Sequence, residues 1–313
     1  MASSICRIAV LLLQAAAPPD RVDGRIVRPG PEVMEPVAGV WTVLHRVGPD
    51  GAGPLDSARS DSRGRYTYSY RRAGSADAVY FVSASHHGVT YFTVPLAFAD
   101  VSGDPAEIVV FDTTSRRVPI TIRGRHIVVS APTSSGARPV TEVFELSNDT
   151  TVTLVSPAPS SPPTFSALLP RNARDPKVEQ GDVPADAVSF ADGRVRVVAP
   201  LPPGVKQLAY SYTLPAAEFP LSVPAEAPID VYEVLIEEPR GSATGAKLTE
   251  EPAVTAEGRT FRRFMAQEVP LNAVAVIDIP SARRTWSPTF LILFIVAAAS
   301  LMLLALARAY RRK

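Results

Sequence analysis

Cysteine is almost absent from this sequence: Cys6 is the only one in 313 residues. It falls inside a candidate export signal. Removal of that signal leaves a mature chain without a thiol, which excludes a disulfide framework and thiolate chemistry. An exported body without disulfides depends on the size of its hydrophobic core, and about 270 residues suffice for that. A surplus of either charge is also missing. The formal net charge is +1, whereas a nucleic-acid binder needs a basic field to replace phosphate counterions, so nucleic acid is excluded as a partner.

The sequence also lacks the short motifs that carry catalysis. It has no Gly-x-Ser-x-Gly elbow, no phosphate-binding glycine loop with lysine, and no His-Glu-x-x-His helix. A zinc site needs three or four convergent ligands. Of the four histidines, His86 and His87 are adjacent, so on a strand they point to opposite faces and cannot both reach one ion without a bulge. His45 lies in an alternating segment, and His126 follows "RGR" in what reads as an exposed turn. The carboxylate pairs Glu237–Glu238 and Glu250–Glu251 lie near prolines, and nothing places two acids across a cleft as glycoside hydrolysis requires. The expectation is a non-enzyme with no catalytic residue, no cofactor and no metal.

What is abundant is proline, with 31 residues, about twice the usual ~5%. A proline in a helix interior costs ~3 kcal/mol, so long helices are excluded before residue 286. Valine, threonine and tyrosine fill the segments between prolines, which predicts strands with proline at edges and turns. The fold class is therefore mainly β.

The two ends set an expected topology. Thr289 to Ala307, "TFLILFIVAAASLMLLALA", is uncharged, long enough at ~1.5 Å per residue to cross a hydrocarbon core of ~30 Å. Trp286 and Tyr310 bracket it as interfacial aromatics do. Arg308, Arg311, Arg312 and Lys313 follow it, against Arg283 and Arg284 before it, which favours a cytoplasmic tail. At the start, Arg7, a short apolar run from Ile8 to Leu13, and Ala15 and Ala17 before Pro18 read as a signal peptide with a cleavage site. The expected organisation is a signal peptide at 1–17, a transmembrane helix at 287–308 and a tail at 309–313. It places a single-pass protein in a bacterial inner or cytoplasmic membrane, with the body periplasmic or extracellular.

Between the ends, strand signals recur. "AGVWTVLHRV" alternates Val40, Thr42 and Leu44 with Trp41, Val43 and His45, and "RYTYSYR" alternates strictly. Short strands at regular spacing with Gly and Pro turns predict a small β-sandwich over 22–98. Three features occur there in order: Gly24 to Ile26, Pro36 to Val40 as Pro-x-Ala-Gly-Val, and Asp61, Gly64 and Tyr66 as Asp-x-x-Gly-x-Tyr. An aromatic strand follows. This ordered set resembles the carboxypeptidase regulatory-like (transthyretin-like) domain and covers under a third of the chain. The resemblance implies a seven-stranded, usually non-catalytic β-sandwich, with carbohydrate binding as a second implication through related starch-binding-like modules. The turn also has a physical basis: Asp61 can accept backbone N–H bonds two residues on, and Gly64 can take φ > 0 at no steric cost.

From 104 onward further strand signals predict an Ig-like β-sandwich at 104–225 and a small β unit at 226–280, or one enlarged sandwich. "SPAPSSPPTF" reads as a stiff loop or a polyproline ligand.

Tyr66, Tyr68 and Tyr70 sit two apart and share one face of a strand. That face is either a core layer or, with Trp41, an aromatic ligand platform. The leading expectation is an envelope protein whose exported body mediates protein contacts, as scaffold, assembly accessory or sensor-like ectodomain, with the membrane and an envelope protein as partners. The alternative is a displayed carbohydrate-binding module.

Overall fold

The computed structural model describes residues 18–158 and 161–280. The expected signal peptide, transmembrane helix and tail lie outside these residues. Among the described residues no helix is long and apolar enough to cross a membrane. Two single 3-10 turns, Ala185–Ala187 and Ala216–Glu218, are the only helical elements there, and strands make up the rest of the regular structure. Proline alone does not account for this, since residues 55–94 contain none and still form strands; there period-two alternation and aromatic and β-branched side chains favour the strand.

The chain divides into two compact units. The first takes residues up to 118 together with 149–161 and 200–203; the second takes 119–148, 162–199 and 204 onward. The strands of the first are β1 (Asp20–Pro29), β2 (Met34–Pro36), β3 (Trp41–Gly48), β4 (Gly51–Arg59), β5 (Arg65–Tyr70), β6 (Val79–His86), β7 (Val89–Phe92) and β8 (Asp100–Val109), followed by β9 (Thr113–Thr114). They form two sheets of four. In one, β1 is central, pairing antiparallel with β2 and β5 and in parallel with β8. The other runs β4-β3-β6-β7, all antiparallel. Val22 and Ile26 of β1, Leu44 of β3, Tyr68 of β5, Val82 of β6 and Ile108 of β8 are no more than 2% exposed and belong to one core. Two sheets burying their facing sides against each other make a β-sandwich.

This sandwich does not end at residue 98. β8 completes the β1 sheet, and Val101, Ala106, Ile108 and Val110 enter its core. The sequence reading assigned this strand to the following region because chain proximity is the only guide there. A parallel pairing between strands some 80 residues apart leaves no local signature.

The second unit opens with β10 (Ile120–Val129) and β11 (Arg138–Asn148). Residues 149–161 then return to the first unit, where β12 (Thr153–Leu154) pairs in parallel with β9. Then follow β13 (Phe165–Leu168), β14 (Arg174–Val178), β15 (Val188–Ala191), β16 (Arg194–Val197), β17 (Gly204–Leu214), β18 (Leu221–Pro224), β19 (Ile229–Ile236), β20 (Ser242–Gly245), β21 (Thr249–Ala256), β22 (Arg259–Val269) and β23 (Val274–Asp278). A seven-stranded sheet runs β14-β17-β11-β10-β19-β22-β21, and two three-stranded sheets, β13-β16-β15 and β18-β23-β20, share its core. The parallel β10–β19 pair, Ile122 to Val129 against Ile229 to Ile236, joins the two halves of the large sheet. Residues 226–280 therefore complete the sheet begun at 120. The division at 225 gives way to the other arrangement the sequence left open, one enlarged sandwich.

Candidate functional site

The strand β5 decides between the two readings of its tyrosines. Tyr66, Tyr68 and Tyr70 are 3%, 2% and 7% exposed, and Thr67 and Ser69 between them point outward. Gly24 pairs across the sheet with Tyr66, and a Cβ at Gly24 would collide with the Tyr66 ring and the Ala106 carbonyl. The missing side chain lets the ring lie over β1, where its hydroxyl donates to Ala106 O at 2.6 Å. The Tyr68 hydroxyl hydrogen-bonds Thr42 Oγ1 at 2.7 Å, and Thr42 donates to Ala58 O. Tyr70 stacks on Tyr80 at 5.3 Å. Burial pushes the Tyr66 and Tyr68 phenols above their ordinary range. All three tyrosines are core residues, so their part in a ligand platform is withdrawn. A two-layer sandwich needs an inward apolar face on β5, and the strict alternation supplies it.

The turn that launches β5 has the expected chemistry. Asp61 Oδ1 accepts the N–H groups of Arg63 and Arg65 at 2.8 and 2.7 Å, and these bonds hold its carboxyl below the usual range. Gly64 has φ +73°, donates to Asp61 O, and accepts from Ile26 N–H at 2.7 Å. The turn thus ties β5 to the middle of β1.

The aromatic surface lies on the other sheet. Because Thr42 and Leu44 point inward, Trp41, Val43, His45 and Val47 of β3 point outward. Their cross-strand partners on β6 are Ser85, Ser83, Phe81 and Val79. Phe92 of β7 lies opposite Ser83. Trp41 is 50% and Phe92 58% exposed, with Val47 and Val79 also exposed. His45 stacks on Phe81 at 5.1 Å, and Phe81 meets Phe92 edge-on at 5.7 Å. These three rings form a continuous ladder across three strands. Desolvation lowers the pKa of His45, whose Nε2 pairs with Ser83 Oγ at 2.8 Å. Trp41 is covered in part by the Arg59 guanidinium, 5.0 Å from its ring. Of the four residues expected to contact a ligand, only Trp41 is on this surface. Phe81, Phe92 and Val79 were missed, although alternation in "AVYFVSASHHGVTYF" places Val79 and Phe81 on the face opposite Tyr80 and Val82.

The remaining histidines depart from expectation. His86 closes β6, but His87 does not continue it: with φ +48° it forms, with Gly88 at +78°, a two-residue hairpin turn. The turn folds the His87 ring back onto His86, with centroids 3.9 Å apart. The two rings are therefore neighbours and do not point to opposite faces. His126 is part of β10, where Nδ1 meets Glu233 Oε2 of β19 at 2.7 Å. That hydrogen bond, opposed by burial, raises its pKa. Of the adjacent carboxylates, Glu238 is ion-paired with Arg138 at 3.0 Å and Glu250 with Arg262 at 2.7 Å.

The second unit contains one buried ion pair that sequence reasoning did not single out. Arg125 donates through Nε and a terminal nitrogen to Glu142 Oε2 at 3.1 and 2.7 Å, and Tyr212 donates to Glu142 Oε1 at 2.7 Å. Both charged side chains are at most 6% exposed. They sit at the inner wall of a groove of about 450 Å³ that includes Leu168 to Asn172 and Pro220 to Pro224.

No protein-family model matches the chain, and no curated protein sequence matches it. Among solved structures it is similar to the full-length major pilin SpaD from Corynebacterium diphtheriae, at 10% identity over 82% of this chain and 81% of that one, with a TM-score of 0.20. It is likewise similar to BcpA, the major pilin subunit of Bacillus cereus, at 12% identity over 83% and 85% of the two chains, also with a TM-score of 0.20. At that score neither likeness carries over to the function of this chain.

Proposed function

We propose that this chain is a non-catalytic envelope protein that acts by protein contact, and that the outer face of the β4-β3-β6-β7 sheet is its contact surface. The observation that carries the reading is the ladder His45–Phe81–Phe92 on the outer sheet face, with the exposed side chains of Trp41, Val47 and Val79 around it. Contiguous exposed apolar area of this kind marks interaction sites on soluble domains, and aromatic residues dominate the energetic centre of protein interfaces. We read the first sandwich as carboxypeptidase regulatory-like, on the Asp61–Gly64–Tyr66 turn and the Gly24–Tyr66 packing, a kind of domain that usually serves as an appendage. The uncharged run from Thr289 to Ala307 would hold the body at the membrane. A carbohydrate platform finds less support, since the tyrosine face it needed is inside the core.

Site-specific photo-crosslinking in the native host tests the proposal. A crosslinker at Phe92 or Val79 is expected to trap one discrete protein, and one at Ser69, on the outer side of β5, is not. Adding Trp41→Asp should abolish the Phe92 product while the protein remains folded. Equal labelling from both faces, or binding of the purified protein to a glycan array without a protein product, would overturn it.

A further inference from the structure

The hairpin between β6 and β7 brings together three side chains that share a chemistry. His86 Nε2 and His87 Nδ1 lie 3.9 and 3.6 Å from the same oxygen, Asp112 Oδ1. All three candidate ligand atoms fall within 4.8 Å of one another. A tetrahedral Zn²⁺ with arms of about 2.0–2.1 Å separates its ligand atoms by roughly 3.4 Å, so the two His–Asp112 distances need to close by a few tenths of an ångström, and the two histidine nitrogens are brought into place by rotation of their rings. We propose that His86, His87 and Asp112 form a binding site for one transition-metal dication of the Zn²⁺ type.

Three further observations support a built site. His86 Nε2 is buried and has no hydrogen-bond partner, and a buried polar atom without a partner asks for an explanation such as an ion. His87 occupies a left-handed turn position that asparagine or glycine fills more readily, and it is this φ that turns its ring toward His86. The backbone around Asp112 is fixed: Thr153 N–H donates to the Asp112 carbonyl at 2.8 Å, and Val110 N–H, two residues earlier, donates to Val27 O. Asp112 directs Oδ1 to the histidines and Oδ2 toward Arg28 at 3.8 Å, while Glu35 holds Arg28 from another side at 3.1 Å. In the loaded site Arg28 becomes the outer partner that orients the ligating carboxylate. The stacked rings must tilt apart to aim both nitrogens at one ion, and His87, about half exposed, has room to do so. Two imidazoles and one carboxylate suit Zn²⁺, Ni²⁺ or Cu²⁺, whereas Ca²⁺ and Mg²⁺ want more oxygen ligands.

The test is a titration of the full chain, in mild detergent and free of any histidine tag, with ZnCl₂ against a chromophoric chelator. One Zn²⁺ per chain is expected, and excess Mg²⁺ should not compete. His87→Asn keeps a residue suited to the turn, and Asp112→Asn keeps the side-chain shape, so both should melt as the native protein does without metal. Each should weaken Zn²⁺ binding by about tenfold or more, while His126→Gln should leave it unchanged. Binding that persists unaltered in both variants, that is lost only in His126→Gln, or that is absent at about 100 μM free Zn²⁺, overturns the proposal.

Discussion

The first sandwich is specified by a few residues whose side chains, or lack of them, permit close approach. Gly24 admits the Tyr66 ring, and Gly64 holds φ +73° within a turn whose backbone contacts β1. A Cβ at Gly64 would stand 2.5 Å from Ile26 O and 3.1 Å from Val37 N. Both atoms are backbone, so neither can swing away. A β-branched residue there meets two penalties, the left-handed conformation at about 1–2 kcal/mol and the clash in addition. Gly64→Val is therefore expected to destabilise the first unit by about 2–3 kcal/mol or more, read as a lower melting temperature. An unchanged melting temperature would refute the turn's role. Asp61 acts at the same scale: one carboxylate oxygen satisfies two N–H groups that the tight bend removes from the sheet ladder.

At the scale of the element, the second unit is held by strand pairings that place charge inside. Arg125 on β10 and Glu142 on β11 point to the same side of adjacent strands, and the Arg125 guanidinium also lies 4.9 Å from the Phe144 ring. Removing one member of a buried pair strands the other charge at a cost of about 3–5 kcal/mol, whereas replacing both with apolar residues of similar size is often neutral. Glu142→Leu should thus unfold the second unit at markedly lower denaturant, and Arg125→Met added to it should restore most of the loss. If the double variant were no better than the single one, the cost would lie in packing and not in the stranded charge. Elements of this kind show why part of the fold was legible in the sequence and part was not. Strict period-two alternation in "RYTYSYR" and "WTVLHRV" fixes which side chains face inward, because a one-residue slip would expose the whole set. The Asp-x-x-Gly-x-Tyr turn is local and was readable for the same reason. The β10–β19 and β1–β8 pairings are parallel and distant in sequence, so no short pattern encodes them. The aromatic ladder depends on the register of three strands, and of the face that carries it only Trp41 was anticipated. The His86–His87 stack depends on the positive φ of His87 within its hairpin turn, which two adjacent histidines in a strand-rich segment do not announce.

At the scale of the whole molecule, the order of the chain and the order of the units differ. The first unit is closed by β8 and then by residues 149–161, which arrive only after β10 and β11 have been made. There the Thr153 hydroxyl meets the buried Tyr91 hydroxyl at 2.8 Å, and Thr153 N–H caps the Asp112 carbonyl. A fragment ending at 98 lacks β8. It leaves one edge of β1 unpaired and removes Val101, Ala106, Ile108 and Val110 from a core of modest size. Small domains have little stability to lose, so a fragment of residues 18–98 should be unfolded or aggregated. Residues 18–118 restore the sheet and should give a dispersed amide spectrum, but with a lower melting temperature than the first unit has in the full chain, since Tyr91 loses its partner in Thr153. A well-folded 18–98 fragment would show instead that β8 is an accessory strand and that the sandwich closes without it.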